Sequence, residues 1–224
     1  NVTGVQTCAL PICDLLGLCQ ENLVFRCDLF EGIGEKLLCP FHYFGVPDEV
    51  DYAQIPWRSS AFDETELTNA LATQSRAQNA LEQFRKHGGT KAIGFCCSIV
   101  HADFMTAFFK ERGVRAAAIH SGESSAPRVT ALEQLQAGAL DIVFAVDILN
   151  EGVDLPNVDS ILMLRPTESA IIWLQQFGRG LRLSENKPRL TVVDYIGNHR
   201  VFLTKARDRK STRLNSSHIP LSRM

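Results

Sequence analysis

Between Ala92 and Val193 the chain alternates short, unbroken apolar runs with stretches whose apolar residues recur at helical spacing. Few folds accept that rhythm. Apolar runs this short suit strands buried on both faces, and the amphipathic stretches suit the crossovers that parallel strands require. Ala92 to Cys97, Arg115 to Ile119, Ile142 to Val146, Ile161 to Leu164 and Leu190 to Val193 read as strands. Ser98 is placed to cap a helix from Val100 to Arg112 that Gly113 ends. Pro127 opens another at its favoured first-turn position and Gly138 closes it, and a third helix runs from Ala170 to Phe177. Phe104, Phe108, Phe109, Leu132 and Leu135 are the inward-facing candidates. The expected fold class is α/β, a parallel sheet with helices on both faces and right-handed crossovers.

Upstream the pattern is less regular. Leu15 to Phe30 suggests a helix feeding into a loop, and aromatic-rich Lys36 to Val46, bounded by Gly34 and Pro47, reads as a strand. The prolines, acids and serines that follow look like a linker. One helix of about twenty residues is expected from near Asp63 to His87, with Leu67, Leu71, Leu81 and Phe84 inward and Gly88-Gly89 stopping it.

Each strand ends in polar, turn-prone residues: Ser98 with His101, then His120-Ser121-Gly122, then Asp147 before NEGVDLP, then Arg165-Pro166-Thr167. Ligands of open α/β sheets bind outside the carboxyl ends of strands, so these endings predict a ligand-facing rim. The formal charge of −2 excludes a surface coated in positive potential, and any nucleic-acid contact must come from a local groove. No apolar run is long enough for a membrane span and no signal core is visible, so a soluble, cytoplasmic protein is expected. The seven cysteines form no disulfide framework. A zinc site from Cys27, Cys39 and His42 lacks a CxxC pair, and no metal site is expected.

The densest chemistry lies in LQQFGRGLR, Leu174 to Arg182. On a helix Gln175, Arg179 and Arg182 share one face, and Gly178 lets that face approach another surface. Two guanidiniums three residues apart repel unless an anion lies across both, and a phosphate chain is the obvious anion. Arginines near a helix end also complement its dipole while facing only water, and that reading stays open on spacing alone.

The ends differ in character. NVTGVQTCALPIC at 1–13 and the tail from 209 carry no periodicity and resemble translated sequencing-adapter sequence, so no function is expected of 1–13 or 209–224.

Three segments in order carry a family resemblance. FCCSIVHADFMTAFF looks like motif IV of superfamily 2 helicases, AVDILNEGVDLP like motif V and QQFGRGLR like motif VI, all belonging to the second RecA-like domain of DEAD/DEAH-box-type enzymes. LMLRPTESAIIWLQQFGRGLR resembles a prokaryotic subgroup. The resemblance implies that 14–62 is the end of a first domain with its linker and that 63–208 is the helicase C-terminal RecA-like domain. It implies an arginine finger at Arg182 with Arg179 as its partner, a coupling role for Gln175, close backbone approach at Gly152 and a ribose contact at Asp154. Nucleic-acid phosphates would lie on Ser98 and on His120, Ser121 and Gly122, with Arg165 and Thr167 as further strand contacts. Glu151 departs from the arginine common at its place. His101 is expected to be structural rather than catalytic.

No GxxxxGK[ST] loop or DEAD-like acidic box is present in the sequence. The resemblance therefore implies half of an ATPase, with ATP and Mg2+ bound mainly by a missing N-terminal RecA-like domain. Nucleic acid, DNA ahead of RNA, is the second expected partner, and no membrane partner is expected. A stand-alone nucleic-acid- or protein-binding module without ATPase activity is the alternative.

Overall fold

A computed structural model describes residues 29–58, 61–146, 157–166, 170–184 and 187–196. Gly152, Asp154, Thr167, Cys27, the terminal stretches and most of Leu15 to Phe30 lie outside them. The chain forms two compact units, 1–37 and 38–224. The described part of the first contains one short helix, α1 (Leu29–Gly34).

In the second unit, β1 (Phe41–Pro47) precedes a small antiparallel pair, β2 (Trp57–Arg58) and β3 (Ala61–Phe62). Helices α2 (Glu64–Leu71) and α3 (Gln74–His87) follow, then β4 (Ala92–Phe95), α4 (Ile99–Glu111), β5 (Ala116–Ile119), α5 (Arg128–Gln136), β6 (Ile142–Ala145), β7 (Ser160–Met163), α6 (Ala170–Gly180) and β8 (Leu190–Ile196). Six strands form one sheet in the order β1-β8-β7-β4-β6-β5, and every pairing is parallel.

The four short strands β4 to β7 are buried at every position, as their continuous apolar runs require. Alternate residues serve opposite faces. Ala92, Phe144, Leu162 and Val193 pack with Ala77, Leu81 and Phe84 of α3 and with Met105, Phe108 and Phe109 of α4 in one cluster. On the other face a Cβ on Gly180 of α6 would lie 2.6 Å from Leu190 and 2.7 Å from Ile161, so that helix rests directly on the starts of β7 and β8. Gly113 and Gly138 end α4 and the turn after α5 at φ 81° and 74°, where a side chain would be strained.

One expectation needs correction. The single helix over Asp63 to His87 is two helices. Thr73 is extended, and its hydroxyl accepts the Arg76 amide to start α3, while Asp63 caps α2 through the Glu66 amide. The aromatic strand expected upstream is present: Phe41 to Pro47 pair in register with Leu190 to Ile196, so the sheet begins inside the stretch 14–62.

Candidate nucleotide and nucleic-acid interface

Helix α6 leads into the predicted finger, Arg182, which follows its last residue, Gly180, by two positions. Phe177, Gly180 and Leu181 are buried, whereas Gln175, Gly178 and Arg182 are exposed and Arg179 is half-buried. Gln175 and Arg179, four residues apart, lie along one side of the helix, while Arg182 is exposed two residues beyond the helix end at Gly180, where the helical spacing expected of it no longer applies. The glycines divide the labour. Gly180 has no room for a Cβ, while nothing lies within 4 Å of one on Gly178. Packing within the chain explains the first glycine and leaves the second for an approaching surface. The start of the helix is fixed by Trp173, whose ring stacks on Phe177 at 4.8 Å and whose Nε1 donates to Asp194 at 3.2 Å. Tyr43 of β1 donates to the same carboxylate at 2.6 Å. Gln176 is turned inward, 1 % exposed, with neither amide atom hydrogen-bonded.

The candidate residues do not all meet on one rim. Helix α6 runs back from the carboxyl end of β7, and its eleven residues cover about 16 Å. Its far end, with Arg179 and Arg182, lies over the amino ends of the strands, where the Leu181 carbonyl accepts from Cys39 at 2.7 Å. Ser98, His120 to Gly122 and Arg165 follow the carboxyl ends of β4, β5 and β7. The far end of α6 and the rim thus form two walls at opposite ends of the strands.

At the rim, Ser98 starts α4 as expected: its oxygen accepts the His101 amide at 3.1 Å and the Thr68 hydroxyl at 2.7 Å. The side chain is 3 % exposed, so its hydroxyl is spent inside the fold. Below it, the Cys97 amide donates to His101 Nδ1 at 3.5 Å and the Cys97 sulfur lies 3.4 Å from the same nitrogen. Burial, with the Arg76 charge adding and Asp48 opposing, drives the His101 imidazole down to about 3. His101 is thus neutral and structural. Burial pushes the Cys97 thiol up, and the hydrogen bonds from Thr68 and Ser98 only partly offset it, so the sulfur is no activated nucleophile.

His120 is buried as well. Gly122 donates its amide to Nδ1 at 3.1 Å and Nε2 faces Asp103 at 3.0 Å, which places the proton on Nε2. Asp103 also accepts from Ser124 at 2.7 Å, and the His120 amide donates to Ser125 at 3.0 Å. The turn is held by its own ring and amides, leaving the exposed Ser121 as its outward hydroxyl.

Sequence reasoning missed Arg76. It sits on the inner side of α3, 7 % exposed, with NH2 2.9 Å from Asp48 and 3.0 Å from the Leu164 carbonyl, and its guanidinium lies 4.6 Å from the centre of the Tyr195 ring. Burial opposes charge on Asp48, but the Arg76 hydrogen bonds and charge win, and its carboxyl stays below the usual range. This pair fixes the carbonyl directly before Arg165. The available signal was an arginine in line with Ala80 and Phe84 on an apolar stripe.

Among the described residues no group of His, Cys, Asp or Glu forms a metal site and no helix is long and apolar enough to cross a membrane. Residues 75–184 match the helicase conserved C-terminal domain family. The chain is 25% identical over 195 residues to the candidate ATP-dependent helicase IRC3 of Saccharomyces cerevisiae, covering 85% of this chain and 28% of that protein. It is 29% identical over 133 residues to UvrABC system protein B of Kosmotoga olearia, covering 56% and 20%. A fragment of a candidate HsdR subunit of a type I restriction enzyme from Vibrio vulnificus shares the fold at a TM-score of 0.58 and 24% identity, over 75% of this chain and 34% of that one. The chain thus spans about a third or less of the length of these relatives. Over residues 75–184 the chain is thus similar to the helicase conserved C-terminal domain, and its all-parallel sheet is the fold it shares with that solved fragment.

Proposed function

We propose that this chain is the C-terminal half of an ATP-dependent nucleic-acid helicase or translocase. The observation carrying the proposal is the end of α6, where exposed Gln175, half-buried Arg179 and, just past the helix, exposed Arg182 flank the open Gly178 while Phe177, Gly180 and Leu181 are buried. Two guanidiniums and an amide suit the terminal phosphate of ATP, and its anhydride would supply the bond that is broken. Arg182 would neutralise charge developing on the transferred phosphoryl group, Arg179 would hold it in line, and Gln175 would couple the helix to the bound strand. ATP and its Mg2+ would be held mainly by the N-terminal half, as the resemblance implies. Gly152 and Asp154 are proposed for the ribose side.

Nucleic acid, DNA ahead of RNA, would cross the other wall. With the Ser98 and His120 side chains engaged internally, phosphates there would meet the first amides of α4 and the Ser121 hydroxyl, with Arg165 and Thr167 beyond. The test is Arg182→Ala in the full-length enzyme. ATP binding stays near wild type while turnover falls by roughly a thousandfold or more. Turnover at the wild-type rate removes Arg182 from the mechanism. The isolated chain should show no steady ATP hydrolysis, and DNA should stimulate the full enzyme more than RNA.

A further inference from the structure

The far end of α6 is bracketed in a way the finger reading leaves unassigned. A helix ends with carbonyls that have no partner within it. Here the Gly180 carbonyl, placed between Arg179 and Arg182 in sequence, accepts from Lys187 Nζ at 2.9 Å. The next carbonyl, Leu181, accepts the Cys39 amide at 2.7 Å, and the Cys39 thiol reaches back to the Lys187 carbonyl at 3.9 Å. Lys187 is only 5 % exposed, although it belongs to a polar segment, SENKPR, in which an ammonium would ordinarily reach water. A buried ammonium aimed at a helix end complements the dipole and fixes the last turn. Gly180 closes the bracket from the sheet side, because Leu190 and Ile161 leave no space above its Cα.

From this geometry we propose that Lys187 is a positioning residue for ATP hydrolysis, setting the axial rotation of the last turn of α6 so that Arg179 and Arg182 point at one phosphate. The inference rests on the finger role proposed above. Lys187 touches no substrate; it acts through the Gly180 carbonyl on the two side chains either side of it.

The experiment compares Lys187→Met, Arg182→Ala and the double variant in the full-length enzyme, with denaturation curves to confirm folding. Lys187→Met keeps the length and apolar stem and removes the ammonium. It should lower kcat at least tenfold with KM for ATP within threefold, at a temperature where the variant is fully folded. Added to Arg182→Ala it should change little, because the group it orients is already gone. A kcat within twofold of wild type, or losses that multiply in the double variant, overturns the proposal. Should Lys187→Met not fold, Lys187→Gln, which retains a donor without the charge, is judged by the same criteria. If Arg182→Ala itself turns over normally, the finger reading has failed and Lys187 loses the residue it would position. If Arg182→Ala is inactive while Lys187→Met is not, only the positioning role is lost.

Discussion

Acid should loosen this domain at His101 well before its carboxylates titrate. Unfolded, the imidazole titrates near 6.5, whereas in the fold burial and the neighbouring Arg76 bring it to about 3. The unfolded chain therefore binds a proton that the folded chain refuses. Stability from this group is fully present above pH 6.5 and is lost as pH falls toward 3. Over the half-open interval the slope approaches about 1.4 kcal/mol per pH unit, so passing from pH 7 to pH 5 costs about 2 kcal/mol. With a urea m-value near ~2 kcal/mol per molar, the midpoint should drop by about 1 M. His87 is also lowered by burial and adds in the same direction, and Asp48, held below the usual carboxyl range, contributes only at lower pH. The measurement is urea unfolding of wild type and His101→Gln at both pH values. The gap between the two proteins should change by about 2 kcal/mol across the interval. Parallel curves would show that the buried imidazole does not control acid sensitivity.

Three other outcomes follow from the packing. Gly178→Ala should stabilise by up to about 1 kcal/mol because its Cβ enters open space and a helix prefers alanine. Gly180→Ala should instead cost about 1–3 kcal/mol from overpacking against Leu190 and Ile161, and thermal shifts of the same sign would contradict the assignment. Arg76→Met strands the Asp48 carboxylate, whose side chain is 2% exposed, and should cost about 3–5 kcal/mol. Adding Asp48→Asn should recover part of that loss, and strict additivity in denaturation would refute the coupling. Ser98→Ala should cost about 1–2 kcal/mol by removing the α4 cap and the acceptor of Thr68, so an unchanged unfolding midpoint would rule out the cap.

How much of this was legible beforehand follows from the range of the interactions. The buried strands and the Ser98 cap were readable because their signals are local: a run of apolar residues, or a serine before a helical period. The break at Thr73 was not, since Leu71-Ala72-Thr73 carries no glycine or proline and the alternative is decided by one side-chain hydrogen bond. The place of β1 beside β8 was hidden because parallel pairing joins residues about 150 positions apart, and an aromatic run does not name its neighbour. The shared side of Gln175 and Arg179 followed from helical spacing, whereas Arg182 falls past the helix end at Gly180, where spacing gives no guide. Its position over the amino ends of the strands depended on Gly180 meeting Leu190, which no spacing reveals. The resemblance implied Ser98 and His120 as phosphate contacts; that their polar atoms are consumed within the fold appears only when Thr68 and Asp103 arrive beside them.

Because α6 is secured at both extremities, by an indole on a carboxylate at one and by an ammonium and an amide at the other, it behaves as a stiff strut. If the chain closes against an ATP-binding half as proposed, that motion would be taken up in the joints flanking the strut. In the proposed enzyme the backbone that carries Arg179 would then reach its phosphate already ordered, leaving less ordering entropy to oppose engagement.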